Sequence, residues 1–234
     1  WDSIANNLDK ESFIIVTKQH SAKVVLKKEL DDQAERHGYT SVKENMEDLR
    51  VREYGGQFVV KYMNVKTARL CTVVIGTIDS LVYNLTTSKR SGLDMFKKLL
   101  DNIIEEGCSK VNKTSGRFTY GGQELLLNRK TQLWVDETQD LCNSYLHGLT
   151  KLILDTKIDV VVVGDQLQSL KTEDNFMKSL EMEGLPNIEV IREAPVNINR
   201  RVQVKGMAAA INNLVPFEKY NLPVISLERE EGLE

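Results

Sequence analysis

Short apolar, β-branched runs alternate along the chain with segments whose apolar positions recur every three to four residues. Phe13 to Thr17, FIIVT, gives way at once to Ala22, Val25, Leu26 and Leu30, a strand feeding a helix. Ahead of it, Ile4, Ala5 and Leu8 carry helical spacing from Trp1 to Leu8. LCTVVI at 70–75 predicts a second buried strand, followed by Gly76-Thr77-Ile78-Asp79-Ser80 and LVYNL. Helical periodicity returns from Leu93 through Phe96, Leu99, Leu100, Ile103 and Ile104, and Gly107 stops it. FTY and ELLL around Gly121-Gly122 form a hairpin pattern. Leu133-Trp134-Val135 and Ile158 to Val163 are the two clearest strands, joined by a helix through Leu141, Tyr145, Leu149, Leu152 and Ile153.

This order predicts an α/β fold, with the last pair forming a parallel β-α-β unit whose functional groups sit at the strand carboxyl ends. Residues 39–64 mix charge with Gly55-Gly56 and a brief FVVKY, and read as a small subdomain or loop-rich insertion. After Pro186, IEVI leads to Asn199-Arg200-Arg201 and a short helix; the tail from Glu228 is acidic.

Composition is that of a globular chain, 41% hydrophobic and 28% charged over 234 residues. No apolar run reaches the roughly 18 residues of a membrane span, and Trp1-Asp2-Ser3 has no signal-peptide pattern, so a soluble intracellular protein with no membrane partner is expected. Three cysteines without a C-x-x-C pair and three scattered histidines suggest neither a disulfide framework nor a zinc site; metal chemistry would use carboxylates. A net charge of -3 gives no bulk attraction for phosphate, so nucleic-acid binding would rest on local patches.

Three carboxylates crowd the five positions after Val135, in Asp136-Glu137-Thr138-Gln139-Asp140. A buried strand ending in Asp-Glu suits nucleoside-triphosphate hydrolysis, the Asp holding Mg²⁺ and the Glu polarising the attacking water. The second strand delivers Gly164-Asp165-Gln166-Leu167-Gln168, and a β-α-β unit would set Asp165 and Gln168 beside Asp136 and Glu137. An acidic helix N-terminus or a glycine turn with an Asp cap explains either strand end singly, and both together less well.

WVDETQD followed by VVVVGDQLQS resembles motifs II and III of superfamily 1 helicases, D-E-x-Q-D and G-D-x-x-Q. VTKQHSAK resembles motif Ia, GTIDSLVYN motif Ib and APVNINRRV the arginine-bearing motif IV, in the family's order. The resemblance spans residues 1 to 220, with 39–64 and 84–130 as family-variable insertions, and points to viral members, either of large DNA viruses or of positive-strand RNA viruses. Host cytoplasm or nucleus would then be the location.

The resemblance implies a RecA-like parallel sheet flanked by helices, with residues 1–190 as a partial first domain and 191–234 as a linker or the start of a second. It implies ATP and Mg²⁺ as cofactors and single-stranded nucleic acid as partner, DNA slightly favoured over RNA, with replication proteins as candidate partners. Asp136, with Glu137, would hold Mg²⁺, and Asp165 would join Asp136 at the nucleotide. Glu137 would be the catalytic base, and Gln168 would couple the γ-phosphate to the nucleic-acid groove. Arg201 would act as an arginine finger, with Arg200 the nearby alternative. Thr17, His20, Lys23, Thr77 and Ser80 would touch the strand's backbone, which short hydroxyls and a lysine can do without reading bases. For Lys23 a solvated helix face is the competing reading.

The loop G-x-x-x-x-G-K-[ST] occurs nowhere in the 234 residues. The family places it just before the helix at Trp1, so the chain is expected to begin immediately after it and to hold half of an ATP site. The complete protein is then an ATP-hydrolysing helicase and this chain alone inactive. The rival expectations are a helicase-like binding module without hydrolysis and a Mg²⁺-dependent nuclease using Asp136, Glu137 and Asp165.

Overall fold

The computed structural model describes residues 1–42, 56–87, 95–164 and 175–183, with two short strands at 198–199 and 225–226. The chain divides into two units, Trp1–Pro186 and Asn187–Glu234.

The first unit is mixed α/β. In chain order it runs α1 (Asp2–Asn6), β1 (Ser12–Thr17), α2 (His20–Ala34), β2 (Tyr39–Val42), β3 (Phe58–Asn64), β4 (Leu70–Thr77), α3 (Ile78–Leu85), α4 (Met95–Glu106), β5 (Arg117–Tyr120), β6 (Gln123–Leu126), β7 (Thr131–Val135), α5 (Asn143–Thr156), β8 (Asp159–Val162) and α6 (Phe176–Glu183). Short 3₁₀ turns at Glu35–His37 and Thr138–Asp140 complete it. Six strands form one sheet in the order β2-β3-β4-β1-β7-β8. The four from β4 to β8 are parallel, and β3 and β2 extend the sheet in antiparallel fashion.

The apolar runs of β1, β4 and β7 behave as buried parallel strands must, with side chains sealed on both faces, while β8 at the sheet edge is only half-buried. Phe13, Val73 and Ile75 share one face with Leu30 and Ala34 of α2 and with Tyr39, Phe58 and Tyr62. Ile14, Val16 and Val74, alternating with them, are buried on the other. Leu81, Leu85, Leu100, Ile103, Leu149 and Leu152 bring α3, α4 and α5 together. Gly148 permits this approach, since a Cβ there would stand 3.2 Å from Leu100. Gly107, at φ 82°, ends α4 where the pattern predicts.

Residues 39–64 differ from the expected separate subdomain or loop-rich insertion. Their described parts, β2 and β3, are strands of the main sheet, Phe58 pairing with Ile75 and Tyr39 with Asn64. Thr40, Ser41 and Val42 are exposed, which leaves β2 without an apolar signature. In α2 the inward face also differs, because Val25 is 60% exposed while Lys23 is buried.

At the other end of the sheet the guanidinium of Arg69 gathers the carbonyls of Ile4 (2.8 Å), Asn7 (2.7 Å) and Lys10 (2.6 Å) and the Tyr39 hydroxyl (3.0 Å). This clamp fixes α1 against the sheet by satisfying carbonyls the short helix leaves open. Trp1 adds to it, donating to Leu30 O at 2.8 Å and stacking on His37.

In the second unit, β9 (Ile198–Asn199) and β10 (Ile225–Ser226) pair in parallel. IEVI at 188–191, Arg200 and Arg201 lie outside the described residues.

Candidate functional site

Parallel pairing brings four strand ends to one edge. Thr17 is in register with Thr77, Val16 with Val135, and Val135 with Val162. The ladder runs on past the strands, Asp136 N donating to Val16 O and Val163 N to Val135 O, both at 2.8 Å. Asp136 therefore stands next to Thr17, and the segments after β7 and β8 lie side by side.

The turn after β7 is locked onto the end of β8. Thr138 donates to Val163 O through its backbone N–H (3.1 Å) and its hydroxyl (3.0 Å). Gly164 follows, and a Cβ there would fall 2.4 Å from Thr138 Oγ1 and 2.9 Å from Gln139 Oε1. Only glycine leaves room for that turn.

Asp136 lines a cavity of about 420 Å³ whose walls include Trp1, Phe13, Ile15, Leu26, Trp134 and Val163. Burial pushes its carboxyl above the usual carboxylate range; the Glu137 backbone N–H pulls it back, and the charge of Glu137 pushes it up again. An ionised carboxylate so placed gains from a cation. Among the described residues no cluster of three or more His, Cys, Asp or Glu side chains is arranged to hold a metal. Mg²⁺ typically takes only one or two protein carboxylates and completes its shell with water and phosphate, so Asp136 fits that donor set. Glu137 adopts a left-handed backbone, φ 57° and ψ 40°, and its Oε2 accepts from Gln139 Nε2.

The five residues expected to touch a strand separate by burial. His20 is exposed at the first turn of α2, and Ser80 is half-buried. Lys23 lies on no solvated face: it is 1% exposed, its ammonium donating to Gly56 O and sitting 5.3 Å over the Phe58 ring. Thr77 is buried and caps α3, its hydroxyl accepting from Ser80 N at 3.2 Å, while Ser80 Oγ donates to Thr77 O at 2.7 Å. Thr17 is fully buried, and its hydroxyl is the one such side-chain atom among the described residues without a partner. As placed, Thr17, Lys23 and Thr77 are buried, and of the five only His20 and Ser80 reach solvent. Asp165 and Gln168, like Arg200 and Arg201, lie outside the described residues.

Further residues at this edge escaped the sequence reading. Tyr120 of the β5–β6 hairpin hydrogen-bonds Ser80 Oγ at 2.8 Å and fills the space a side chain at Gly76 would need. Lys18 Nζ reaches Asp79 at 3.2 Å and the Tyr145 hydroxyl at 3.4 Å, and that hydroxyl also donates to Asp79. Lys18 and Asp79 lie inside the quoted motifs; the register that joins them to Tyr145 had no local signal.

Comparison of the chain with protein-family models, with curated proteins and with solved structures finds no match.

Proposed function

We propose that this chain is part of an ATP-dependent helicase or translocase acting on single-stranded nucleic acid. One observation carries the reading: β7 lies between β1 and β8, so Asp136-Glu137 and Gly164 share one edge of a parallel sheet, with the turn after one strand seated on the end of the other. Ligand sites in open α/β sheets form at such carboxyl edges.

Asp136 would hold Mg²⁺, which when bound neutralises phosphate charge. Glu137 takes the proton of the water that attacks the terminal phosphorus, and the bond to the bridging oxygen breaks. Gln168 and Asp165 follow Gly164 directly in sequence and are proposed for the γ-phosphate and the nucleotide. Arg201, with Arg200 as its neighbour, is proposed to stabilise charge on the transferring group. His20 and Ser80 are proposed to contact the strand's backbone.

The test is Glu137→Gln in the longest natural chain that contains these residues. Turnover of ATP is abolished and ATP binding retained; turnover near that of the unmodified protein overturns the assignment.

A further inference from the structure

We propose that Gln139 is a positioning residue for Glu137, seated against Gly164 at the end of β8. The inference rests on Glu137 acting as the base proposed above.

Three non-glycine residues have positive φ among the described residues, Ala68, Glu137 and Lys157. Lys157 closes the C-terminus of α5, where a left-handed residue is ordinary. Glu137 instead precedes a 3₁₀ turn, and its conformation sets its side chain off the strand's alternation. Non-glycine residues held this way persist only where their surroundings enforce it, and they gather at functional sites.

Gln139 holds the side chain of Glu137. It is 2% exposed, and its Nε2 donates to Glu137 Oε2. Its other side has no slack, because a Cβ on Gly164 would lie 2.9 Å from Gln139 Oε1 and 3.2 Å from Gln139 N. The amide thus packs on Gly164 and presents an N–H to the carboxylate. A general base works only when its carboxylate is aimed at the proton it takes, and a fixed partner supplies that aim. Since the seat is Gly164, two residues past the end of β8, a shift of the chain there reaches Glu137 through this amide.

The experiment measures kcat and KM for ATP hydrolysis, with thermal unfolding alongside, in the longest natural chain carrying Gln139→Met, Gln139→Glu, Gly164→Ala or Glu137→Gln. Gln139→Met keeps the shape and loses the donor; kcat falls about 10- to 100-fold, as for other outer-shell partners, while KM stays within about twofold, the mark of a group acting only on the chemical step. Gly164→Ala lowers kcat in the same direction. Gln139→Glu regains a donor when protonated, so its kcat relative to Gln139→Met rises as pH falls, which a purely structural role would not produce. Gln139→Met at unmodified kcat while Glu137→Gln is inactive overturns this inference alone. Turnover by Glu137→Gln overturns the reading beneath it, and an inactive unmodified chain overturns both.

Discussion

Thr138 binds the carbonyl of Val163 twice, with its backbone N–H at 3.1 Å and its hydroxyl at 3.0 Å, and so ties the turn after β7 to the end of β8. Replacing the hydroxyl by a methyl group of the same shape, Thr138→Val, removes one of the two bonds from a fully buried position. A loss of about 1 kcal/mol is expected, read as a fall in the thermal midpoint of about 2–4 °C for a chain of this size. An unchanged midpoint would mean that the hydroxyl contributes nothing to the lock.

Thr17 supplies the opposite case. It is as buried as Thr138, but its hydroxyl has no partner among the described residues. A buried donor left unpaired carries its full desolvation cost, so Thr17→Val stabilises the protein by about 1 kcal/mol. Chemical denaturation of both variants checks the pair. Destabilisation by Thr17→Val would show that the hydroxyl is paired in solution.

Asp136 makes stability depend on pH. Its folded-state pKa is raised above the unfolded value, chiefly by burial. Its contribution is therefore fully present below the ordinary carboxylate range and is lost as pH rises through the raised value, where the folded protein must hold a poorly solvated charge. Asp136→Asn raises the unfolding midpoint at pH 7, and the difference closes as the solution is acidified. Added Mg²⁺ stabilises the unmodified protein and not the variant. A gain independent of pH would contradict the electrostatic cause.

Arg69 holds three carbonyls and a tyrosine hydroxyl from one guanidinium, a geometry lysine cannot reproduce. Arg69→Lys costs about 2 kcal/mol and speeds amide exchange across residues 2–8. Unaltered exchange there would show that α1 is anchored by Trp1 and Ile4 instead.

What the sequence revealed follows burial. β1, β4 and β7 stood out because strands covered on both faces must be apolar; β8, a half-buried edge strand, stood out by its run of valines, and α5 because one face is buried and one solvated. β2 gave no signal, having Tyr39 as its one buried residue. Lys23 misled the reading of α2, because its burial depends on a carbonyl at Gly56, far along the chain. At the candidate site, Asp136 and Glu137 were legible as charge at the end of an apolar strand. Thr138 and Gln139 stood in the same run, Gln139 inside the D-E-x-Q-D pattern, but no role for either could be read, since what sets them apart is a fit against Gly164 that exists only once β7 and β8 are paired.

The most direct measurement is Mg²⁺-dependent ATP hydrolysis by the longest natural chain containing these residues, with and without single-stranded DNA and RNA. Hydrolysis that a strand accelerates is expected, with the more effective polymer identifying the track. A folded protein that binds a strand and hydrolyses no ATP would contradict the helicase reading, leaving Asp136 and Glu137 as part of a binding module.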